Sequence, residues 1–76
     1  MHWYKKAQQV NVMGEPMSLI QLEDIDGVSY ELFNGDIKAA IRVTDTDVNE
    51  VIYLKRYLSH EMALNIYNDT VEKARY

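Results

Sequence analysis

Residues 28–43, VSYELFNGDIKAAIRV, constrain the fold of this chain more than any other stretch. Asn34-Gly35 lies between two β-prone runs, and this dipeptide favours a two-residue type I′ turn because both of its positions need a positive φ. The spacing predicts a β-hairpin in which Phe33 lies opposite Asp36. Counting outward from that pair predicts one wholly apolar face, formed by Val28, Tyr30, Leu32, Ile37, Ala39 and Ile41.

The opposite face of this predicted hairpin is more polar, with Glu31 placed across from Lys38. A one-residue slip would exchange the apolar set for the polar one, so the sequence specifies the register strongly. The predicted turn also makes Gly35 a sensitive position. Gly35→Val is expected to be strongly destabilising, because a β-branched residue would be forced to a positive φ.

The segment before the hairpin predicts further strands. Residues 13–16, MGEP, carry Gly and Pro and predict a turn. An edge strand is expected within residues 3–13, and a second strand over residues 17–23.

The connection from that second strand to the hairpin lies at residues 24–27, DIDG. Asp at the first position and Gly at the fourth predict a type I turn closed by a G1 bulge. This turn places Leu22 opposite Tyr30 and Ile20 opposite Leu32. A two-residue loop at Asp26-Gly27 would instead set polar side chains against the apolar face, and the longer turn is therefore favoured.

Residues 48–58 are rich in Val, Ile and Tyr and fit either a fourth meander strand or the start of a long helix, with the strand favoured. Ser59 can cap a helix, because apolar residues then recur at helical spacing and Lys73 lies in the last turn. The chain is thus expected to form one α+β domain over residues 1–76. Its architecture is a small antiparallel β-meander of four to five strands with one C-terminal helix packed on the apolar sheet face.

Length and composition limit the class of protein. A chain of 76 residues without cysteine has no disulfide and no thiolate metal site, and a domain this small is marginally stable alone. We therefore expect a homodimer or higher homo-oligomer. The N-terminus shows no secretion signal and no window is apolar enough to span a membrane, which predicts a cytoplasmic protein.

Motifs for metal binding and catalysis are incomplete. His60-Glu61 opens a zinc motif of the H-E-x-x-H type, but Leu64 stands where the second histidine belongs. Residues 45–49 match the first ligand positions of a calcium loop, yet Glu50 replaces its glycine, so a solvated acidic turn is expected. No set of nucleophile, base and orienting residue can be assembled. The sequence predicts a protein that is not an enzyme and uses no cofactor or metal.

One group of side chains suggests a binding surface. If Ile52, Leu54 and Leu58 face the core, an aromatic and basic sheet face results. Its predicted binding residues are Phe33, Lys38, Arg42, Tyr53, Lys55 and Tyr57. Such side chains can contact a protein or can stack bases and neutralise phosphates. The N-terminal segment with Trp3 and Tyr4, or a second copy, could instead cover this face.

The net charge of −4 favours protein binding over nucleic-acid binding. An acidic domain is drawn to basic partners and repels phosphates, so we expect a protein-binding module that regulates or inhibits a partner by occupying its surface. Nucleic-acid or nucleotide binding on the aromatic face is the alternative. A subunit whose only role is assembly is a third interpretation.

Overall fold

The computed structural model describes residues 9–76, so part of the predicted edge strand within residues 3–13 lies outside the described range, as do Trp3 and Tyr4. Five antiparallel strands follow one another in the order of the chain, and a helix follows the last of them. The elements are β1 (Gln9–Val12), β2 (Glu15–Ile25), β3 (Val28–Asn34), β4 (Ala39–Asp45), β5 (Glu50–Tyr57) and α1 (His60–Ala74). The sheet curls into a half-barrel with α1 against it, which confirms the predicted α+β meander.

The β3–β4 hairpin has a longer loop than the sequence predicts. Asn34 pairs with Ala39, so residues 35–38 form the connection. Gly35 lies outside the left-handed region, and the predicted type I′ turn is therefore wrong. The longer loop also leaves the Ile37 side chain outside the ladder, 75% exposed instead of buried.

The observed register nevertheless preserves the faces of the hairpin. Leu32 lies opposite Ile41 rather than Ile37, and because this displacement is even, each strand residue keeps its predicted face. The tight turn would have held two charged residues, Asp36 and Lys38, within the ladder. The longer loop releases them to positions that water can reach, which avoids the cost of desolvating their charges.

The β2–β3 connection is the two-residue turn at Asp26-Gly27, which the apolar pattern of the sequence disfavours. Asp26 and Gly27 have φ values of 50° and 79°, and Tyr30 pairs with Glu23 instead of Leu22. The predicted type I turn with a G1 bulge is therefore wrong. A polar residue is tolerated on the α1 side of the sheet because the Glu23 carboxylate accepts a hydrogen bond from the Arg75 guanidinium at 2.6 Å.

A bulge at Ile20 restores apolar pairing further along β2. Leu19 pairs with Phe33 and Gln21 pairs with Leu32, which leaves Ile20 as the extra residue. The predicted pairing of Ile20 with Leu32 is consequently wrong. Ile20 and Leu22 are both about half exposed, whereas Leu19 packs against the core.

The core lies on both faces of the sheet. One cluster joins the sheet to α1 and consists of Leu32, Ala39, Ile41, Val43, Tyr57, Ala63, Tyr67 and Val71. The second lies on the other face and consists of Val12, Met17, Phe33 and Ala40. Curling of the half-barrel lets a single sheet bury side chains on both of its surfaces.

α1 forms where the capping signals predict it. The Ser59 hydroxyl accepts a hydrogen bond from the Met62 N–H at 3.1 Å, which satisfies one free donor of the first turn. The Tyr67 hydroxyl donates to the Tyr30 carbonyl oxygen at 2.8 Å and anchors the middle of the helix to β3. Within residues 9–76, no helix combines the length and apolar character that crossing a membrane requires.

Candidate protein-binding surfaces

The six residues predicted to form one binding surface do not share a face. Cross-strand partners lie on the same face of a sheet. Tyr57 pairs with Ala39 on the α1 side, whereas Phe33 pairs with Ala40 on the opposite side. The predicted common face is wrong because a bulge at Ile52 moves Tyr53, Lys55 and Tyr57 to the face opposite to the predicted one.

Phe33 and Arg42 are engaged within the fold. The Phe33 side chain is 1% exposed, and the Arg42 guanidinium carbon lies 5.1 Å from its ring centroid. Arg42 also donates from Nε and Nη2 to the two carboxylate oxygens of Glu31, at 2.7 and 3.1 Å. This hydrogen bonding raises the pKa of Arg42. A base or phosphate would have to displace these contacts to use either side chain.

Tyr57 is also unavailable to a partner, since it is 5% exposed. Its hydroxyl lies 2.5 Å from that of Tyr53, and the Lys55 Nζ lies 5.4 Å from its ring centroid. Burial makes the largest contribution and the hydrogen bond with Tyr53 the next largest, and together they raise the pKa of Tyr57 to about 12.

Burial and the charges of nearby carboxylates raise the pKa of Tyr67 to about 12 as well. Both hydroxyls therefore keep their protons at neutral pH.

Lys38 lies in the β3–β4 loop, outside the strands that carry the other five predicted binding residues. Its Nζ is 4.0 Å from the Glu15 carboxylate, which also accepts a 2.6 Å hydrogen bond from Arg56. Of the six predicted residues, only Tyr53 and Lys55 are thus exposed on β5 without a role in the core.

Two turns meet at one end of the sheet. The N–H and the hydroxyl of Thr46 both donate to the Gly27 carbonyl oxygen, at 2.9 and 2.7 Å, so the β4–β5 turn is fixed against the β2–β3 turn. A Cβ at Gly27 would lie 3.1 Å from Asp47 Oδ2. The Asp45 carboxylate accepts a hydrogen bond from the Asp47 N–H at 3.0 Å.

Four carboxylates lie in these turns or in the strand ends next to them, and we call them the acidic end: Asp24, Asp26, Asp45 and Asp47. Three of the four are exposed. Within residues 9–76, none of the four forms an ion pair. Four other acidic side chains do pair with a cation: Glu15, Glu23, Glu31 and Asp69. The acidic end therefore projects an uncompensated negative potential.

The outer edge of β5 is the second exposed surface. β5 is the last strand of the sheet, and nothing in residues 9–76 pairs with its outer edge. Val51, Ile52, Tyr53 and Leu54 are between 40% and 56% exposed. An apolar edge strand with free backbone groups is a template for pairing with another strand.

Comparisons with known proteins add no functional assignment: no family model, curated protein or solved structure matches this chain. In the described part of the chain, no three His, Asp or Glu side chains are grouped so that they could hold a metal ion. The surfaces themselves are therefore the basis for inferring a function.

The sequence indicates the acidic turn at residues 45–47 but does not reveal that this turn lies against Gly27 of the β2–β3 turn. The signal was available, because in a meander every second turn lies at the same end of the sheet. The sequence also does not reveal the pattern of side chains along the β5 edge. The bulge at Ile52 has no glycine or other sequence marker that would reveal it.

Proposed function

We propose that this domain is a non-enzymatic protein-binding module, a small regulator or inhibitor that occupies a basic surface of a partner protein. The observation that carries the proposal is the acidic end, where four carboxylates lie in or next to two adjoining turns and lack cationic partners among residues 9–76. A basic partner would supply the charges that the fold itself does not.

The geometry of the acidic end suits recognition of a folded surface. The two hydrogen bonds from Thr46 hold the two turns together, so the backbone that carries the carboxylates is fixed before binding and needs little further ordering. Complementary charge speeds encounter and selects partners of the correct sign. Surfaces that bind nucleic acid are the most basic surfaces that proteins commonly expose, so a competitor of nucleic acid is the form of regulator we favour.

Nucleic-acid binding by the domain itself has less support. The aromatic and basic face on which that alternative depended is divided between two sides of the sheet, and two of its aromatic rings are buried. Any phosphate would also approach against a net charge of −4.

The acidic end can be tested with two double variants that remove the same charge. Asp26→Asn with Asp47→Asn neutralises the acidic end, and Asn suits both sites because it tolerates the positive φ of Asp26 and keeps a carbonyl acceptor. Asp36→Asn with Asp69→Asn is the matched control, since both residues are exposed and lie outside the acidic end. Affinity capture from the native host compares the two pairs with the unmodified chain.

We expect the unmodified chain and the control pair to retain the same basic protein equally. The acidic-end pair should bind it about tenfold more weakly, since each lost surface attraction contributes up to about 1 kcal/mol. Added single-stranded DNA should compete with the domain for that protein. Equal capture by both double variants would refute the acidic end as the contact surface.

A further inference from the structure

The bulge at Ile52 determines which charged side chains of β5 lie on the same face. Glu50 pairs with Asp45 of β4. Lys55 pairs with Ile41, which lies an even number of residues from Asp45 on a regular stretch of that strand. Glu50 and Lys55 therefore share the α1 side of the sheet, although an odd number of residues separates them.

The same bulge places two apolar side chains together on the other face. Val51 pairs with Thr44 and Leu54 pairs with Arg42, and these two β4 residues are again an even number apart. Read from one end to the other, the β5 edge presents an acid, two aliphatic residues, an aromatic residue, an aliphatic residue and a base. When a second copy of this segment runs in the opposite direction, the acid lies opposite the base and each apolar residue lies opposite another apolar residue.

We propose that β5 pairs antiparallel with β5 of a second copy of this chain, in the register that sets Glu50 opposite Lys55 of the second copy. Val51 then lies opposite Leu54 of the second copy. Antiparallel strands require opposed residues to lie on the same face, and both pairs meet this requirement. A two-fold axis near Ile52 and Tyr53 repeats each contact, so the two sheets join into one.

Other registers of the same two strands are less favourable. A register centred on Lys55 would place this cation directly opposite its own copy, which destabilises a strand pair. A register centred on Leu54 would be interrupted at the bulge beyond Tyr53, because the faces of the two strands no longer match there. The proposed register continues from Glu50 to Lys55 and pairs opposite charges at both ends.

Two features of β5 that usually prevent edge strands from pairing would, in this arrangement, permit pairing with a second copy of the chain. A bulge and a lysine on an edge usually prevent pairing with unrelated strands. In the second copy, however, the bulge is matched by an identical bulge and Lys55 meets Glu50. The pairing also places a second strand beside the apolar side chains of β5. It uses none of the four residues of the acidic end, and because Glu50 pairs with Asp45 of that end, Lys55→Glu is the variant that tests the pairing separately from the proposed function.

Charge exchange at the two ends of β5 tests the pairing. Lys55→Glu should convert a dimer into the 8.9 kDa monomer, because each of two attractive pairs becomes a repulsive one. We expect the dimer dissociation constant to rise about tenfold or more. Glu50→Lys should act in the same way, and Lys73→Glu on α1 is the control with the same charge change. Multi-angle light scattering gives the mass, and circular dichroism confirms that each variant is folded.

Restoring complementarity should restore the dimer. The double variant Glu50→Lys with Lys55→Glu is expected to dimerise like the unmodified chain. An equimolar mixture of the two single variants should form a heterodimer, because every charged pair in it is again opposite. A monomeric unmodified chain, a dimer that tolerates Lys55→Glu, or a failure of both rescues would overturn the proposal.

Discussion

Phe33→Ala should lower the free energy of unfolding by about 3–5 kcal/mol, the range for truncating a fully buried aromatic side chain. Phe33 is 1% exposed, and with Met17 it forms the largest part of the core cluster opposite α1. Small domains have a total stability of only about 5–15 kcal/mol, so this loss would remove a large share of it. Urea denaturation followed by circular dichroism measures the change.

Ile37→Ala is the matched control for Phe33→Ala. Ile37 is also a large apolar residue, but its side chain is 75% exposed in the β3–β4 loop, and its truncation should change stability by less than about 0.5 kcal/mol. The alternative hairpin register would bury Ile37 and leave Phe33 on a binding face. A larger loss for Ile37→Ala than for Phe33→Ala would therefore reinstate that register.

Gly27→Val should be the most damaging of the glycine substitutions, with a cost of about 1–3 kcal/mol from backbone strain alone. Gly27 has a φ of 79° in the two-residue turn, and a Cβ there would lie 3.1 Å from Asp47 Oδ2. A β-branched side chain can neither adopt this conformation easily nor avoid that carboxylate. Thermal denaturation of the variant measures the combined effect.

Gly27→Asn separates strain from crowding, because Asn introduces the same Cβ but tolerates the left-handed region. Gly27→Asn should therefore retain more stability than Gly27→Val. Equal losses would show that contact with Asp47, and not the φ value, limits the choice of residue at position 27.

Gly35 does not have a positive φ. Gly35→Val would therefore lower stability only through contacts of the new side chain with the Lys38 carbonyl oxygen and Met17.

The strands, the helix and the fold class follow from local signals in the sequence. Alternating apolar residues predict β3 and β4, and Ser59 marks the start of α1 through a capping bond that depends on nearby residues alone. The face on which a residue of a helix or strand lies follows from hydrophobic periodicity, and this periodicity can be read directly from a single sequence. The hairpin faces were consequently predicted correctly even though the pairing was not.

Registers were less predictable because turn types compete over small energy differences. Asn34-Gly35 and Asp26-Gly27 are both strong signals for a type I′ turn, but only Asp26-Gly27 adopts positive φ at both positions. The long-range pairing of Glu23 with Arg75 makes that turn acceptable, and no local rule anticipates a contact across the whole sheet and helix.

The candidate surfaces depended on bulges and were therefore the hardest part to predict. A single extra residue at Ile52 reverses the face of every later side chain in β5, which moved Tyr53 and Tyr57 to the α1 side. The acidic end was only partly predicted, because it combines residues from two turns that are distant in sequence.

The claim that this domain contacts protein and not nucleic acid is tested most directly by a gel-shift titration. The purified full chain is titrated into mixed-sequence single-stranded DNA at low salt, where electrostatic binding is strongest. We expect no shift even at high micromolar protein, because the domain carries a net charge of −4 and its buried aromatic rings cannot stack with bases. Tight binding that weakens steeply as salt rises would contradict this account.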